Sequence, residues 1–134
     1  MIQEYFNEIA KFIKKYYPKA ICYQDLIEQN FKLDSFLIEC LDIEIKEKIH
    51  NIEDVYFTFS ITYFSEIQSH ILDVLMLLDL ELHDIHDCKI MEKEIVDISN
   101  DKGTILFSFH QRLKRIEDEN IINQLKINSI LKGE

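Results

Sequence analysis

Residues 55–64 read VYFTFSITYF, and this stretch decides the fold class. Val55, Phe57, Phe59, Ile61 and Tyr63 fall on one side and Thr58, Ser60 and Thr62 on the other, which is the two-residue period of a β-strand. It is the clearest strand in the chain.

Upstream, Ser35–Ile49 supports two readings. Leu37, Leu41, Ile45 and Ile49 fall four apart, as on a helix, whereas Leu41, Ile43 and Ile45 alternate with Asp42, Glu44 and Lys46, as in a strand. The cluster of β-branched isoleucines favours the strand. With a turn near His50 and Asn51, the two segments make an antiparallel hairpin. A strand of that length runs about 50 Å at roughly 3.3 Å per residue. A compact body of this size is only about 36 Å across. The hairpin tip is therefore expected to project and to carry Ile43, Ile45, Ile49 and Ile52 toward a neighbouring subunit.

Downstream, Ser65 is positioned to cap a helix whose apolar stripe is Ile67, Ile71, Val74, Leu75 and Leu78. Residues 80–87 are polar and ambiguous. Residues 90–98 and 104–110 then flank Ser99-Asn100-Asp101-Lys102-Gly103, read as a turn with Gly103 supplying a positive φ, and so form a second hairpin.

At the N-terminus Ile2, Tyr5, Phe6, Ile9, Phe12, Ile13 and Tyr16 keep helical spacing until Pro18 stops it. A short apolar run at 20–23 reads as a strand, and 24–32 as a loop or one helical turn. Residues 117–132 carry Ile121, Ile122, Leu125 and Leu131 at broadly helical spacing, as a peripheral C-terminal helix. The expected fold is α/β in the α+β sense. It is a mixed, mostly antiparallel sheet built from two hairpins and flanked by N-terminal, central and C-terminal helices, in one domain over 1–134.

Composition narrows the function. A formal charge of −10 argues against nucleic acid as a direct partner, because phosphate binding draws on clustered Lys and Arg. That charge lies in the middle of the chain: residues 35–99 hold fifteen acids against four bases, while the two ends are nearly balanced. Asp42, Glu44, Glu47, Glu53 and Asp54 are the acids expected to face a channel or a partner. No apolar run approaches the roughly 18 residues of a membrane helix, and the N-terminus lacks a signal-peptide pattern, so a cytoplasmic site of synthesis is expected.

Catalytic and metal chemistry find no foothold. Cys22, Cys40 and Cys88 are too far apart for a CxxC pair and read as reduced, mostly buried small hydrophobes. His83, His86 and Cys88 supply a partial ligand set that no second cluster completes. His70 and His110 read as structural, and Gly103 and Gly133 alone cannot build a phosphate loop. No catalytic residue, metal site or cofactor is assigned, and a non-enzymatic role follows. One candidate role is a small acidic inhibitor, a toxin immunity or anti-restriction protein that captures one basic partner.

Three strings carry a resemblance. They are Tyr17-Pro18-Lys19-Ala20-Ile21-Cys22-Tyr23 with Ile27-Glu28-Gln29 after the first helix, Phe59-Ser60-Ile61-Thr62-Tyr63-Phe64-Ser65 running into a helix, and the hairpin Glu94-Ile95-Val96-Asp97 to Gly103-Thr104-Ile105-Leu106-Phe107-Ser108-Phe109. In these the chain resembles the tail terminator, or tail completion, family of tailed bacteriophages and R-type bacteriocins. Lys32-Leu33-Asp34-Ser35 lacks the proline of the family pattern, and the turn at 99–103 is longer than its usual Asp-Gly type. The resemblance implies a structural protein without catalysis that assembles with itself into a ring, commonly a hexamer. That ring caps the head-proximal end of the tail tube, stops tube and sheath growth, and offers a docking surface for the head connector or collar. Assembly in the host cytoplasm and residence in the virion or tail-like particle are likewise implied.

Overall fold

The computed structural model describes residues 2–24, 34–49 and 52–114. Along the chain lie α1 (Ile2–Tyr16), β1 (Ile21–Tyr23), β2 (Ser35–Ile49), β3 (Ile52–Phe64), α2 (Gln68–Glu81), β4 (Asp84–Ile85), β5 (Cys88–Ile98) and β6 (Lys102–Lys114). The strands form one sheet in the order β1-β2-β3-β6-β5-β4. Only β1 against β2 is parallel, so the sheet is mixed and mostly antiparallel, and the α+β expectation holds. Ser35–Ile49 is a strand throughout.

The centre of the sheet is regular and its flanks are not. β3 and β6 pair without a break from Ile52↔Lys114 to Phe64↔Lys102. Each outer long strand, by contrast, slips twice, with bulges between Cys40 and Asp42 and between Ile45 and Glu47 in β2, and between Ile90 and Glu92 and between Ile95 and Asp97 in β5. Each bulge adds a residue to the outer strand, increases local twist and curls the sheet.

The expected face of 55–64 is the core. Val55, Phe57, Phe59, Ile61 and Tyr63 are buried beside Phe36 and Ile38 of β2 and Ile105, Phe107 and Phe109 of β6. Phe57 stacks on Phe109 at 5.4 Å and Phe59 on Phe107 at 6.1 Å across the β3–β6 seam. Both helices cover this same face. From α1 come Tyr5, Ile9 and Ile13, with the Tyr5 ring 4.8 Å from Phe57 and 5.1 Å from Phe109. From α2 come Ile71, Val74, Leu75 and Leu78. Burying each such side chain is worth about 1.5 to 3 kcal/mol.

Several local expectations are corrected. The described residues contain two helices rather than three, and the segment 117–132 lies outside them, as do 25–33 and the turn at 50–51. Ser65 is not the cap of α2; Ile67 holds that position, and the Ser65 hydroxyl accepts the Ile67 N–H at 3.1 Å in a turn just before the helix. At the other end the Lys93 ammonium donates to the carbonyls of Asp79 and, at 2.9 Å, Leu82, so a cation from β5 closes α2. The ambiguous stretch at 80–87 finishes α2 and starts a β4–β5 hairpin. Its two-residue loop, His86-Asp87, takes φ of 52° and 65°, the left-handed pair that such a loop requires.

Gly103 lies inside β6 and has no positive φ. Its small size serves packing instead: a Cβ there would stand 2.6 Å from Ile71 Cγ2 and 2.7 Å from Leu75 Cδ1. The glycine lets α2 sit directly on the strand. Gly103→Ala is therefore expected to cost about 1 to 3 kcal/mol by overpacking, seen as a lower Tm with the fold retained by circular dichroism. An unchanged melt would show that α2 yields without cost.

Candidate assembly surfaces

The half of β2 from Leu41 onward lies on the flank of the core. β6 accompanies β3 as far as Ile52, so a third strand backs the hairpin, which does not project as the expected two-stranded ribbon. Ile43 pairs with Phe57 and Ile45 with Val55, so both point to the helix-covered face. Phe57 and Val55 are buried, yet Ile43 is 39% and Ile45 42% exposed, because neither described helix reaches over them. Leu41, the extra residue of the first bulge, is 52% exposed beside them. Ile52 is also exposed but alternates with Val55 and so lies on the opposite face. Ile49 pairs with Ile52 in the backbone; its side chain lies outside the described ones. The structure thus brings Ile43 and Ile45 together and separates Ile52 from them.

A second apolar surface went unread in the sequence. Leu72, Met76 and Leu80 are exposed along the outward side of α2, whose inward side is buried, so this helix carries apolar residues on both sides, between Asp73 and Asp79. Near it on the edge strand β5, Met91, Ile95, Val96 and Ile98 are exposed. The spacing of Leu72, Met76 and Leu80 by four was the available signal.

The sheet face that neither described helix covers is hydroxyl-rich and acidic. Thr58, Ser60, Thr62, Thr104 and Ser108 run down its middle, Ser60 and Thr62 buried and the others partly exposed, with Thr62 and Thr104 hydroxyls 2.9 Å apart. Register places Asp42 opposite Thr58 and Glu44 opposite Tyr56 on this face, and from the other hairpin Glu92, Glu94 and Asp97 opposite Ser108, Leu106 and Thr104. Glu39, opposite Ser60, joins them. The predicted acids do not all share this setting. Glu53 alternates to the helix side, and the side chain of Glu47 is not described. Asp54 lies on this face, opposite Arg112, but is only 8% exposed and held by cations, its Oδ1 3.0 Å from Arg112 Nε and 3.7 Å from His110 Nε2. Glu44 is paired loosely with Lys46 at 3.6 Å, and the Lys46 ammonium lies over the Tyr56 ring.

The chemistry-bearing side chains are dispersed. No group of three or more His, Cys, Asp or Glu among the described residues is placed to hold a metal ion. His86 faces Glu8 and Glu4 of α1, its backbone N–H donating to the Glu8 carboxylate, so it ties the β4–β5 turn to the helix. The cysteines are free and half-buried rather than mostly buried. Burial pushes the Cys40 thiol up to about 11, which keeps it protonated and unreactive near neutrality. A cleft lined by Tyr16, Tyr17, Lys19, Phe36, Tyr63 and His70 adjoins Asp34, which accepts the Tyr63 hydroxyl at 2.8 Å. Burial first, and that hydrogen bond second, raise Tyr63 to about 12.

These features define a small α+β protein whose distinctive surfaces are two exposed apolar areas and an acidic sheet face. A family model described as phage tail terminator protein matches residues 6–122, and the chain belongs to that family. It is a structural protein of phage tails and a component of the virion. No curated protein matches the chain. Among the described residues no helix is long and apolar enough to cross a membrane.

The difference between the acids is testable by mutation. Asp54→Ala leaves Arg112 and His110 without their carboxylate and is expected to cost about 1 to 3 kcal/mol. Asp42→Ala and Glu44→Ala, at exposed positions, should stay within about 0.5 kcal/mol. Urea unfolding of the three variants checks this ordering.

Proposed function

We propose that the chain closes into a homo-oligomeric ring, sixfold as the family resemblance implies, on the head-proximal end of the tail tube. There it ends growth of the tube, and of the sheath where one is present, and offers a platform for the head connector or collar. The observation that carries this reading is the pair Ile43 and Ile45. They continue the core face of the sheet but stay about two-fifths exposed, with no described helix over them, as expected of side chains that a neighbour buries. Ring contacts are heterologous, so each subunit must present two different surfaces. The ribbon, and the apolar area on α2 and β5, are two such surfaces. The exposed acids of the sheet face that neither described helix covers, Asp42, Glu44, Glu92 and Glu94, suit a channel lining, because like charge keeps DNA moving through without adhesion.

The double variant Ile43→Asp with Ile45→Asp tests this. Both positions are exposed in the subunit, so its melting curve and circular dichroism should match the parent. Ring formation on tubes, followed by electron microscopy and mass in solution, should be lost, since two buried carboxylates per interface cost more than the about 1.5 to 3 kcal/mol that each Ile contributes. Rings that form as before would refute the ribbon's role.

A further inference from the structure

The sheet ends on both sides in a long strand whose outer edge is barely paired. β1 covers only Ser35, Phe36 and Leu37 of β2, which leaves the outer edge of 38–49 open among the described residues. β4 covers only Cys88 and Lys89 of β5, and the Ile90 N–H goes to the His83 carbonyl, so 91–98 is open in the same sense. Open edges of this length template pairing with another strand unless they are blunted.

Three features fit these two edges to each other. The first is level. Tracing the pairs across the sheet, Ile38 shares a row with Ile61, Ile105 and Ile95, and Ile43 shares one with Phe57, Phe109 and Ile90. The middle of each edge, 38–43 on one side and 90–95 on the other, therefore spans the same rows. The second is direction. Because β2, β3, β6 and β5 alternate, β2 and β5 run opposite ways. A copy related by rotation about an axis along the strands presents its β5 antiparallel to β2. The third is the bulges. A bulge that serves only to guard an edge carries charge or twists it away; Lys46 does so at one bulge, but at the other three Leu41, Met91 and Val96 put exposed apolar side chains there.

We propose that neighbouring subunits join by strand addition, the open edge of β2 pairing antiparallel with the open edge of β5 in the next copy. This rests on the ring reading above and names the backbone contact that closes it. A heterologous contact needs two complementary halves on one molecule, and these edges supply both. Ile43 then lies against the adjoining copy's β5 rather than in solvent.

Hydrogen–deuterium exchange on the full chain, alone and assembled on tail tubes, tests the pairing. Amides in both 38–43 and 91–95 should slow together by tenfold or more in the assembly. Rings in which neither stretch slows would overturn strand addition and leave the ring reading standing. Slowing of only one stretch would also overturn it, since a different chain would then occupy that edge. Absence of a ring would remove the ring reading and this contact with it.

Discussion

Four phenylalanines on two adjacent strands set the terms for the rest of the molecule. Phe57 and Phe59 of β3 meet Phe107 and Phe109 of β6 in near-parallel stacks, and Tyr5 closes them from above at 4.8 Å from Phe57. A one-residue slip of either strand would send all its aromatic side chains to the opposite face. The inner pair therefore keeps its register over its whole length, while the outer strands absorb the mismatch through bulges. α1 and α2 have one place to bury their apolar sides, and the close approach of α2 at Gly103 follows from it.

The same constraint leaves surfaces over. The described helices cover the aromatic middle of the sheet, but β2 lies to one side of it, so Ile43 and Ile45 face the core side beside Phe57 and Val55 and stay exposed. The opposite face inherits the complementary half of the alternation, and its hydroxyls and acids follow from the strand period that buries the aromatics. For a member of the tail terminator family, an exposed apolar strand, an apolar helix flank and a polar sheet face on one small body are surfaces available to other tail components.

Much of this was legible in the sequence where one period ran unbroken. VYFTFSITYF gave its core face residue by residue, and the N-terminal stripe correctly placed Tyr5, Ile9 and Ile13. Ser35–Ile49 was ambiguous for a physical reason: the bulges after Cys40 and after Ile45 reset the alternation twice. The face taken by the acids of β5 depends on bulges after Ile90 and Ile95, and the partners of Asp54, His110 and Arg112, lie more than fifty residues away, so neither is visible locally. A glycine needed for close packing, as Gly103 is, looks the same in sequence as one needed for its φ. The His86-Asp87 loop was missed because neither residue advertises the left-handed region as Asn-Gly does.

The most direct measurement is electron microscopy of tail tubes grown with and without the protein. The account predicts one closed ring at a single end of each tube, and tubes that stop lengthening once it is seated. Tubes that keep growing with the protein present, or protein spread along their length, would contradict it.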